Sequence, residues 1–141
     1  MHLFMKKRML FLIIPVITLI LEILPYGAVL NFGRPASDGS IGYIRELYSY
    51  FDLMPFGYAN FSPFVTAVLT CLILVLLLIY CITGSIKLAV KIRNIICICA
   101  VFSLCPLLLG IKFYSVVGMM ITISLIMEII FLHLAVKSSE K

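Results

Sequence analysis

The hydrophobic positions of this chain fall into four long runs, which cover residues 9–30, 63–83, 92–111 and 113–136. At about 1.5 Å per residue, each run is long enough to cross a hydrocarbon core of roughly 30 Å as an α-helix. The longest polar segment, residues 31–62, separates the first run from the second. The pattern predicts an all-α integral membrane protein: a bundle of four transmembrane helices that forms one membrane domain over all 141 residues.

The composition also favours a membrane protein over a soluble domain. Hydrophobic residues make up 64% of the chain and charged residues only 12%, a balance outside the range of soluble globular proteins. The net charge of +5 requires no nucleic acid as a partner, because basic residues beside membrane spans normally lie among anionic lipid headgroups. The expected partner is the lipid bilayer itself.

The distribution of positive charge predicts the orientation. Lysine and arginine near the ends of spans resist translocation and therefore collect on the cytoplasmic side. With four spans, eight of these residues lie on the side of both termini and three on the other side. We expect a protein of the cytoplasmic membrane with both termini in the cytoplasm. The eight are Lys6, Lys7, Arg8, Lys87, Lys91, Arg93, Lys137 and Lys141, and the three are Arg34, Arg45 and Lys112.

The five cysteines, Cys71, Cys81, Cys97, Cys99 and Cys105, all lie inside predicted spans, and none belongs to a CxxC motif. Cys97 and Cys99 point roughly 200° apart around a helix, which does not suit a redox pair. We expect these residues to serve as small packing side chains. The sequence contains no recognisable metal-ligand cluster, nucleophile constellation or phosphate loop. We therefore expect no metal, no cofactor and no catalytic residues, and an enzyme is the least favoured class.

Polar residues of the first run share one face of its predicted helix. Pro15, Thr18, Glu22 and Pro25 follow i, i+3, i+7, i+10 spacing, which predicts a stripe facing the bundle. Glu22 should lie ~10 Å below the outer surface. An ionisable side chain at that depth is a functional hypothesis by default. Thr70 of the second run lies at a similar depth and is the candidate hydrogen-bond partner of Glu22.

Further polar candidates lie in the last two runs: Ser103 in the third, and Ser124 and Glu128, one helical turn apart, in the fourth. Glu128 should lie ~12 Å from the inner surface. Roughly 10 Å along the membrane normal would then separate it from Glu22, so the two carboxyls are not expected to form one site. For each glutamate two roles stay open: a structural one inside the bundle, or one in proton or cation transport.

Two similar phrases bracket the polar segment: residues 24–32 read LPYGAVLNF and residues 54–61 read MPFGYANF. Proline and glycine so placed are typical of turns, and the predicted topology puts both phrases at the outer surface. The first run is expected to be retained as a span, because Tyr26 stands where a signal peptidase needs a small residue. The motif residues are Pro25, Tyr26, Gly27, Asn31, Pro55, Phe56, Gly57 and Asn60.

A short amphipathic helix is predicted between the phrases. Ile41, Ile44, Leu47 or Tyr48, and Phe51 recur at helical spacing, which is typical of a helix lying on a membrane surface. The many tyrosines and phenylalanines of this outer loop fit an interfacial aromatic belt. A platform for a ligand or partner is the alternative.

The segments LPYGAVLNF at 24–32, YSYFDL at 48–53 and PFGYANF at 55–61 resemble a group of small, uncharacterised four-span membrane proteins of Gram-positive bacteria. The similarity lies mainly in residues 24–71, about a third of the chain. The resemblance implies a bacterial cytoplasmic membrane and supplies no catalytic residues.

Two functional hypotheses follow. The favoured one is a non-enzymatic membrane module whose outer loop caps the bundle and binds a lipid or a protein partner. The alternative is a small transporter or channel subunit that uses Glu22 and Glu128 inside the membrane. Flux that depends on pH and on either glutamate would separate the second from the first.

Overall fold

A computed structural model describes residues 9–35, 41–53 and 60–139, which form four α-helices, two β-strands and two 3-10 turns. The helices are α1 (Ile13–Ile23), α2 (Ser62–Thr83), α3 (Ile86–Leu109) and α4 (Val116–Ser139). The strands are β1 (Ala28–Pro35) and β2 (Ile41–Tyr48), and the 3-10 turns are Leu10–Leu12 and Ile111–Phe113.

Three of the helices, α2, α3 and α4, are long and apolar enough to cross a membrane. Large apolar side chains remain exposed along their outer surfaces, as expected where the surroundings are lipid rather than water. The three corresponding predicted runs are thus helical, with boundaries that shift by a few residues.

The largest of these shifts is at the start of α3. The third hydrophobic run predicted a span that begins at residue 92, but α3 already begins at Ile86 and its first two turns carry the basic residues up to Arg93, so that boundary is wrong. The turn between the helices is shorter: Gly84, with φ of 63°, ends α2 by donating its N–H to the carbonyl oxygen of Tyr80, a glycine cap. Ser85 is already extended, and lysine and arginine are good helix formers.

The first helix is shorter than the sequence predicts. A 3-10 turn of three residues leads into the eleven residues of α1, and together they extend about 22 Å. The helix ends at Ile23 because Leu24 precedes Pro25. Leu24 is extended, with ψ of 137°, and a residue before proline disfavours the helical conformation. The prediction that this helix continues to Leu30 is therefore wrong.

A β-hairpin replaces the predicted amphipathic helix. Strands β1 and β2 pair antiparallel from Ala28 opposite Tyr48 to Pro35 opposite Ile41. Strand β2 is rich in β-branched and aromatic residues, which pack well on a pleated surface. That preference, together with pairing to β1, outweighs the helical spacing of its apolar residues, so the helix prediction is wrong.

The hairpin is buried at its base and exposed towards its tip. Ala28, Val29 and Leu30 are buried, whereas the residues of β1 from Gly33 onwards are exposed. An isolated bridge joins Ala28 to Tyr114, just before α4. The base of the hairpin is thus part of the protein core, and the strands project from it.

The helices pack as a ring in which α1 and α3 each contact both α2 and α4. The hairpin lies at one end, which we call the hairpin end, and the Gly84–Ser85 turn lies at the opposite end, the connector end. Buried aliphatic side chains fill the centre, chiefly Ile73, Leu77, Ile92, Ile96, Ile121, Leu125 and Leu132.

Candidate functional site

The first carboxyl group of the site belongs to Glu22, in the last turn of α1. Its side chain is 0% exposed. Thr70 Oγ1 donates a hydrogen bond of 2.8 Å to Glu22 Oε1, which confirms the partner predicted from their similar depth. Among the described residues, Glu22 Oε2 has no hydrogen-bond partner. This oxygen is therefore a buried acceptor that no described group satisfies.

The Thr70 hydroxyl is shared between Glu22 and the backbone of α2. Thr70 Oγ1 also lies 3.1 Å from the carbonyl oxygen of Thr66, but a hydroxyl has only one hydrogen to donate. Cys99 Sγ of α3 lies 3.6 Å from that same carbonyl oxygen and 3.8 Å from Thr70 Oγ1. The thiol can thus serve the Thr66 carbonyl when Thr70 donates to Glu22. Cys99 therefore contributes to polar contacts as well as to packing.

One turn below Glu22, a pair of hydroxyl groups joins α1 to α4. Thr18 Oγ1 lies 2.6 Å from Ser124 Oγ, and either oxygen can donate. Each hydroxyl also approaches a carbonyl of its own helix, Thr18 that of Ile14 at 3.0 Å and Ser124 that of Ile121 at 2.9 Å. Pro15, Thr18 and Glu22 are three members of the buried stripe that the spacing predicted. The fourth predicted member, Pro25, lies beyond the end of α1 and is exposed, so its place in the stripe is wrong.

The second carboxyl group, that of Glu128 in α4, is buried and makes no hydrogen bond within the described part of the chain. The side chain is only 4% exposed, and neither Oε1 nor Oε2 has a partner among the described residues. Ser124, one turn away, bonds to Thr18 and to its own helix instead. Buried polar atoms in native proteins are nearly always satisfied, so Glu128 stands out as a functional candidate.

Glu128 lies in the wall of an apolar cavity of about 330 Å³. The other lining side chains come from the beginning of the first helical segment, from α2 and from the second half of α4. Two of them, Leu10 and Ile13, are 62% and 52% exposed on the outer surface of the bundle, so the cavity borders the surroundings of the helices. The lining residues are Leu10, Phe11, Ile13, Ile14, Leu77, Glu128, Phe131 and Leu132.

The two carboxyl groups lie at different heights, as predicted. Glu22 is one turn above Thr18, and Glu128 is one turn below Ser124 on the antiparallel helix, which separates their backbones by about 12 Å along the axis. The Thr18–Ser124 pair lies between them, and its hydrogen bonds run between the two hydroxyls and to the backbone of their own helices.

Tyr50, which follows the hairpin, closes the bundle above Glu22. Its side chain is 1% exposed, and its backbone N–H donates a 2.9 Å hydrogen bond to the carbonyl oxygen of Glu22. The hydroxyl is within hydrogen-bonding reach of Ser103 on α3. Burial raises the pKa of the Tyr50 hydroxyl above its ordinary value, so the group stays protonated at physiological pH.

Ser103 belongs to a second hydrogen-bond network at the hairpin end. Its hydroxyl bonds to Thr122 of α4, and Thr122 also bonds to the hydroxyl of Tyr114. Ser115 Oγ donates to the carbonyl oxygen of Gly27 at 2.6 Å. This network fixes the base of the hairpin, and Tyr50 within it, to α3 and α4.

The first of the two similar phrases, residues 24–32, lies partly on the surface and partly in the core. Pro25 and Tyr26 are exposed, whereas Gly27 is buried beneath the Tyr50 ring. Asn31 lies on β1, where its Nδ2 is 3.5 Å from the carbonyl oxygen of Lys112. The phrase therefore ends the first helix and anchors the hairpin.

The second phrase, residues 54–61, lies mostly outside the described residues. Of its motif residues only Asn60 is described: it is buried, and its Oδ1 accepts a 3.0 Å hydrogen bond from Ser62 Oγ. The motif residues outside the described part of the chain are Pro55, Phe56 and Gly57.

Sequence reasoning missed two aromatic residues of the site, Tyr50 and Tyr114. Tyr50 was grouped with the interfacial aromatic belt, because no local signal distinguishes a tyrosine that inserts into the bundle from one that lies at its rim. Gly27 is the position that admits the ring, but the contact joins residues far apart in the chain. Across residues 9–35, 41–53 and 60–139, no three His, Cys, Asp or Glu side chains cluster in a way that could hold a metal ion.

No family model matches this chain, and comparison with curated proteins and with solved structures found no significant match.

Proposed function

We propose that this chain is a four-span protein of the bacterial cytoplasmic membrane, with both termini in the cytoplasm. Helices α2, α3 and α4 supply three spans. The first helical segment supplies the fourth. Its length of about 22 Å is short for a hydrocarbon core, a mismatch that local thinning of the bilayer accommodates. The exposed side chains of Ile13, Ile17 and Ile20 on this segment suit contact with lipid.

Within that topology, we propose that the protein is a non-enzymatic binding module whose ligand is an amphiphile with an apolar body and an amine or ammonium group. The observation that carries this proposal is the buried Glu128 carboxyl, which has no hydrogen-bond partner among the described residues and lies in the wall of an apolar cavity. The volume, about 330 Å³, falls within the range of small-molecule sites.

The chemistry of the cavity favours this ligand over a purely apolar one. A hydrocarbon chain would fill the space beside Phe131 and Leu132 but would leave both oxygens of Glu128 without a donor. Leaving a buried acceptor unsatisfied costs about 1–3 kcal/mol, and more if it is charged. An ammonium group supplies N–H donors and a positive charge opposite to that of the carboxylate. The alkyl chain attached to it packs against the apolar walls of the cavity.

Binding can be tested with n-decylammonium and the purified full chain in a non-ionic detergent. Thermal unfolding, followed by circular dichroism while the ligand is titrated, reports an apparent affinity. Glu128→Gln should weaken that affinity about tenfold or more. Glu46→Gln, which removes a carboxylate from the exposed hairpin, is the matched control and should leave it unchanged. Equal affinities for the wild type and Glu128→Gln would refute the proposal.

A second candidate function is a small carrier that uses both glutamates. The observation that favours it is the Thr18–Ser124 pair, which lies between the two carboxyl groups in the bundle. A proton or cation could pass along such a series of hydroxyl and carboxyl groups. In proteoliposomes, the carrier hypothesis expects that Glu22→Gln retains decylammonium binding but abolishes flux. Undiminished flux in Glu22→Gln would leave binding as the only function.

A protein partner that docks on the outer hairpin remains a prediction. Ile41, Tyr43 and Leu47 of β2 are exposed, which suits an interaction surface. Cross-linking in membranes tests this: replacing the three side chains with serine should remove any cross-linked product that forms through the hairpin.

A further inference from the structure

A second cavity, of about 530 Å³, opens at the connector end. It lies between the beginning of α3 and the end of α4, whereas the Glu128 cavity lies between α1, α2 and α4. Its walls combine two valines with three nitrogen-bearing side chains. The lining residues are Val90, Arg93, His133, Val136 and Lys137.

Arg93 and His133 are in direct contact in this cavity. Arg93 Nη1 lies 3.2 Å from His133 Nδ1. A guanidinium group can only donate, so Nδ1 accepts and the imidazole proton is on Nε2. The contact fixes the plane of the guanidinium group and occupies only one of its five N–H donors.

The described acidic residues do not balance this positive charge locally. They are Glu22, Glu46, Asp52 and Glu128, and none of them lines the cavity. Glu140 lies outside the described residues. Two cationic side chains and one imidazole therefore line a cavity without a described carboxylate, an arrangement that suits an anion.

In the proposed membrane topology, on which this inference rests, the height of the pair favours a lipid as the source of the anion. Arg93 is seven residues into α3 and His133 six residues before the end of α4, so both lie about 10 Å inside the connector end. Lys87 lies further out, in the first turn of α3. In the proposed membrane topology, a guanidinium group at this depth reaches the lipid headgroups by extending its side chain towards the helix end, and the valines provide apolar walls beside it.

We propose that the cavity formed by Arg93, His133 and Lys137 binds a phosphate group, that of an anionic phospholipid headgroup. Arg93 would donate two parallel hydrogen bonds to the phosphate oxygens, a geometry that a planar guanidinium offers and an ammonium does not. His133 Nε2 and Lys137 Nζ supply further donors. Basic cavities between helices on the cytoplasmic side are suited to such headgroups. The site is independent of the ligand proposed for Glu128.

The test compares phosphatidylglycerol, phosphatidylcholine and inorganic phosphate as additives to the purified full chain in a non-ionic detergent. Thermal unfolding yields an apparent affinity for each additive. Phosphatidylglycerol should stabilise the wild type, and Arg93→Gln should weaken this affinity about tenfold. Arg93→Lys should bind phosphatidylglycerol with an affinity between those of the wild type and Arg93→Gln. Lys112→Gln removes the same charge at the hairpin end and should behave as the wild type.

Inorganic phosphate distinguishes the source of the anion. If it reproduces the effect and depends on Arg93 in the same way, phosphate binding is supported, but the ligand is free phosphate rather than a lipid. If Arg93→Gln does not fold, His133→Asn replaces it, because Asn keeps an acceptor for Arg93 and loses the Nε2 donor. Equal stabilisation of the wild type, Lys112→Gln and the cavity variant by phosphatidylglycerol, or no stabilisation by any additive, would overturn the proposal.

Discussion

The aromatic ring of Tyr50 lies directly over Gly27, so closely that a Cβ atom at position 27 would be 2.8 Å from Tyr50 Cδ1 and 2.9 Å from Cε1. Both distances are shorter than real carbon contacts in proteins. A glycine after the first helix thus makes room for the aromatic residue that follows the hairpin. This contact holds Tyr50 in the mouth of the bundle, above Glu22.

Gly27→Ala should therefore destabilise the protein. Overpacking a buried site costs about 1–3 kcal/mol of unfolding free energy, measurable by denaturant unfolding in detergent. Gly33→Ala is the matched control, because the nearest atom to its added Cβ would be at an ordinary 3.5 Å. If the clash with Tyr50 is the cause, the cost of Gly27→Ala will shrink in a Tyr50→Ala background; an unchanged cost would contradict this account.

The Tyr50 hydroxyl provides a second test. Tyr50→Phe retains the ring and removes the group within reach of Ser103, so it should lower the unfolding free energy by about 1 kcal/mol. Tyr43→Phe makes the same chemical change on the hairpin, where Tyr43 is 74% exposed, and should change it by less than about 0.5 kcal/mol. Equal effects of the two substitutions would show that the Tyr50 hydroxyl makes no stabilising hydrogen bond.

Thr70→Val should lower the unfolding free energy by about 1–3 kcal/mol, because it leaves Glu22 Oε1 buried without its donor. Thr83→Val is a matched control: Thr83 also bonds to a carbonyl of α2, that of Ile79 at 2.9 Å, but its position is exposed and the bond involves no carboxyl group. Unfolding measurements on both variants isolate the contribution of the Thr70–Glu22 bond. If Thr70→Val lowers the unfolding free energy no more than Thr83→Val does, the Thr70–Glu22 bond does not stabilise the fold.

The extent to which the sequence predicts this structure depends on the range of the interactions. Uninterrupted hydrophobic runs are local, and they predicted helices where α2, α3 and α4 are found. Helical spacing is local as well, so the burial of Thr18 and Glu22 was predictable. The pairing of Glu22 with Thr70 was also predicted correctly, although the residue count behind it took the first helix to end at Leu30 rather than at Ile23.

The hairpin was not predictable in this way, because its strands pair across the chain. Ala28, Val29 and Leu30 continue an apolar run, and only Pro25 indicates that the helix has already ended. The spacing of Ile41 and Ile44 fits a helix as well as it fits a strand. Pairing with β1 decides between them, and no local pattern reveals that pairing.

Within the candidate site, the sequence identified the polar residues but not their connections. It placed Ser124 beside Glu128, whereas Ser124 bonds to Thr18 across the bundle. The rotation of the helices about their axes decides whether the Ser124 hydroxyl meets Glu128 on its own helix or Thr18 on α1. That rotation is set by packing of the whole bundle.

Glu128→Met should stabilise the fold and abolish binding. Because neither carboxyl oxygen has a hydrogen-bond partner among the described residues, an apolar side chain of similar length removes an unsatisfied buried group. The unfolding free energy should therefore rise by about 1–3 kcal/mol, while decylammonium no longer stabilises the variant. A gain in stability that accompanies a loss of binding is characteristic of functional residues. A loss of stability would instead assign Glu128 a structural role.

The most direct test of the central claim, that Glu128 makes this cavity a site for an amine-bearing amphiphile, compares n-decylammonium with n-decanol on the wild type and Glu128→Gln. The two ligands share the apolar chain and differ in the charged group. We predict that the wild type prefers decylammonium by about tenfold or more and that Glu128→Gln loses this preference while still binding decanol. An equal preference for decylammonium in both proteins would contradict the claim.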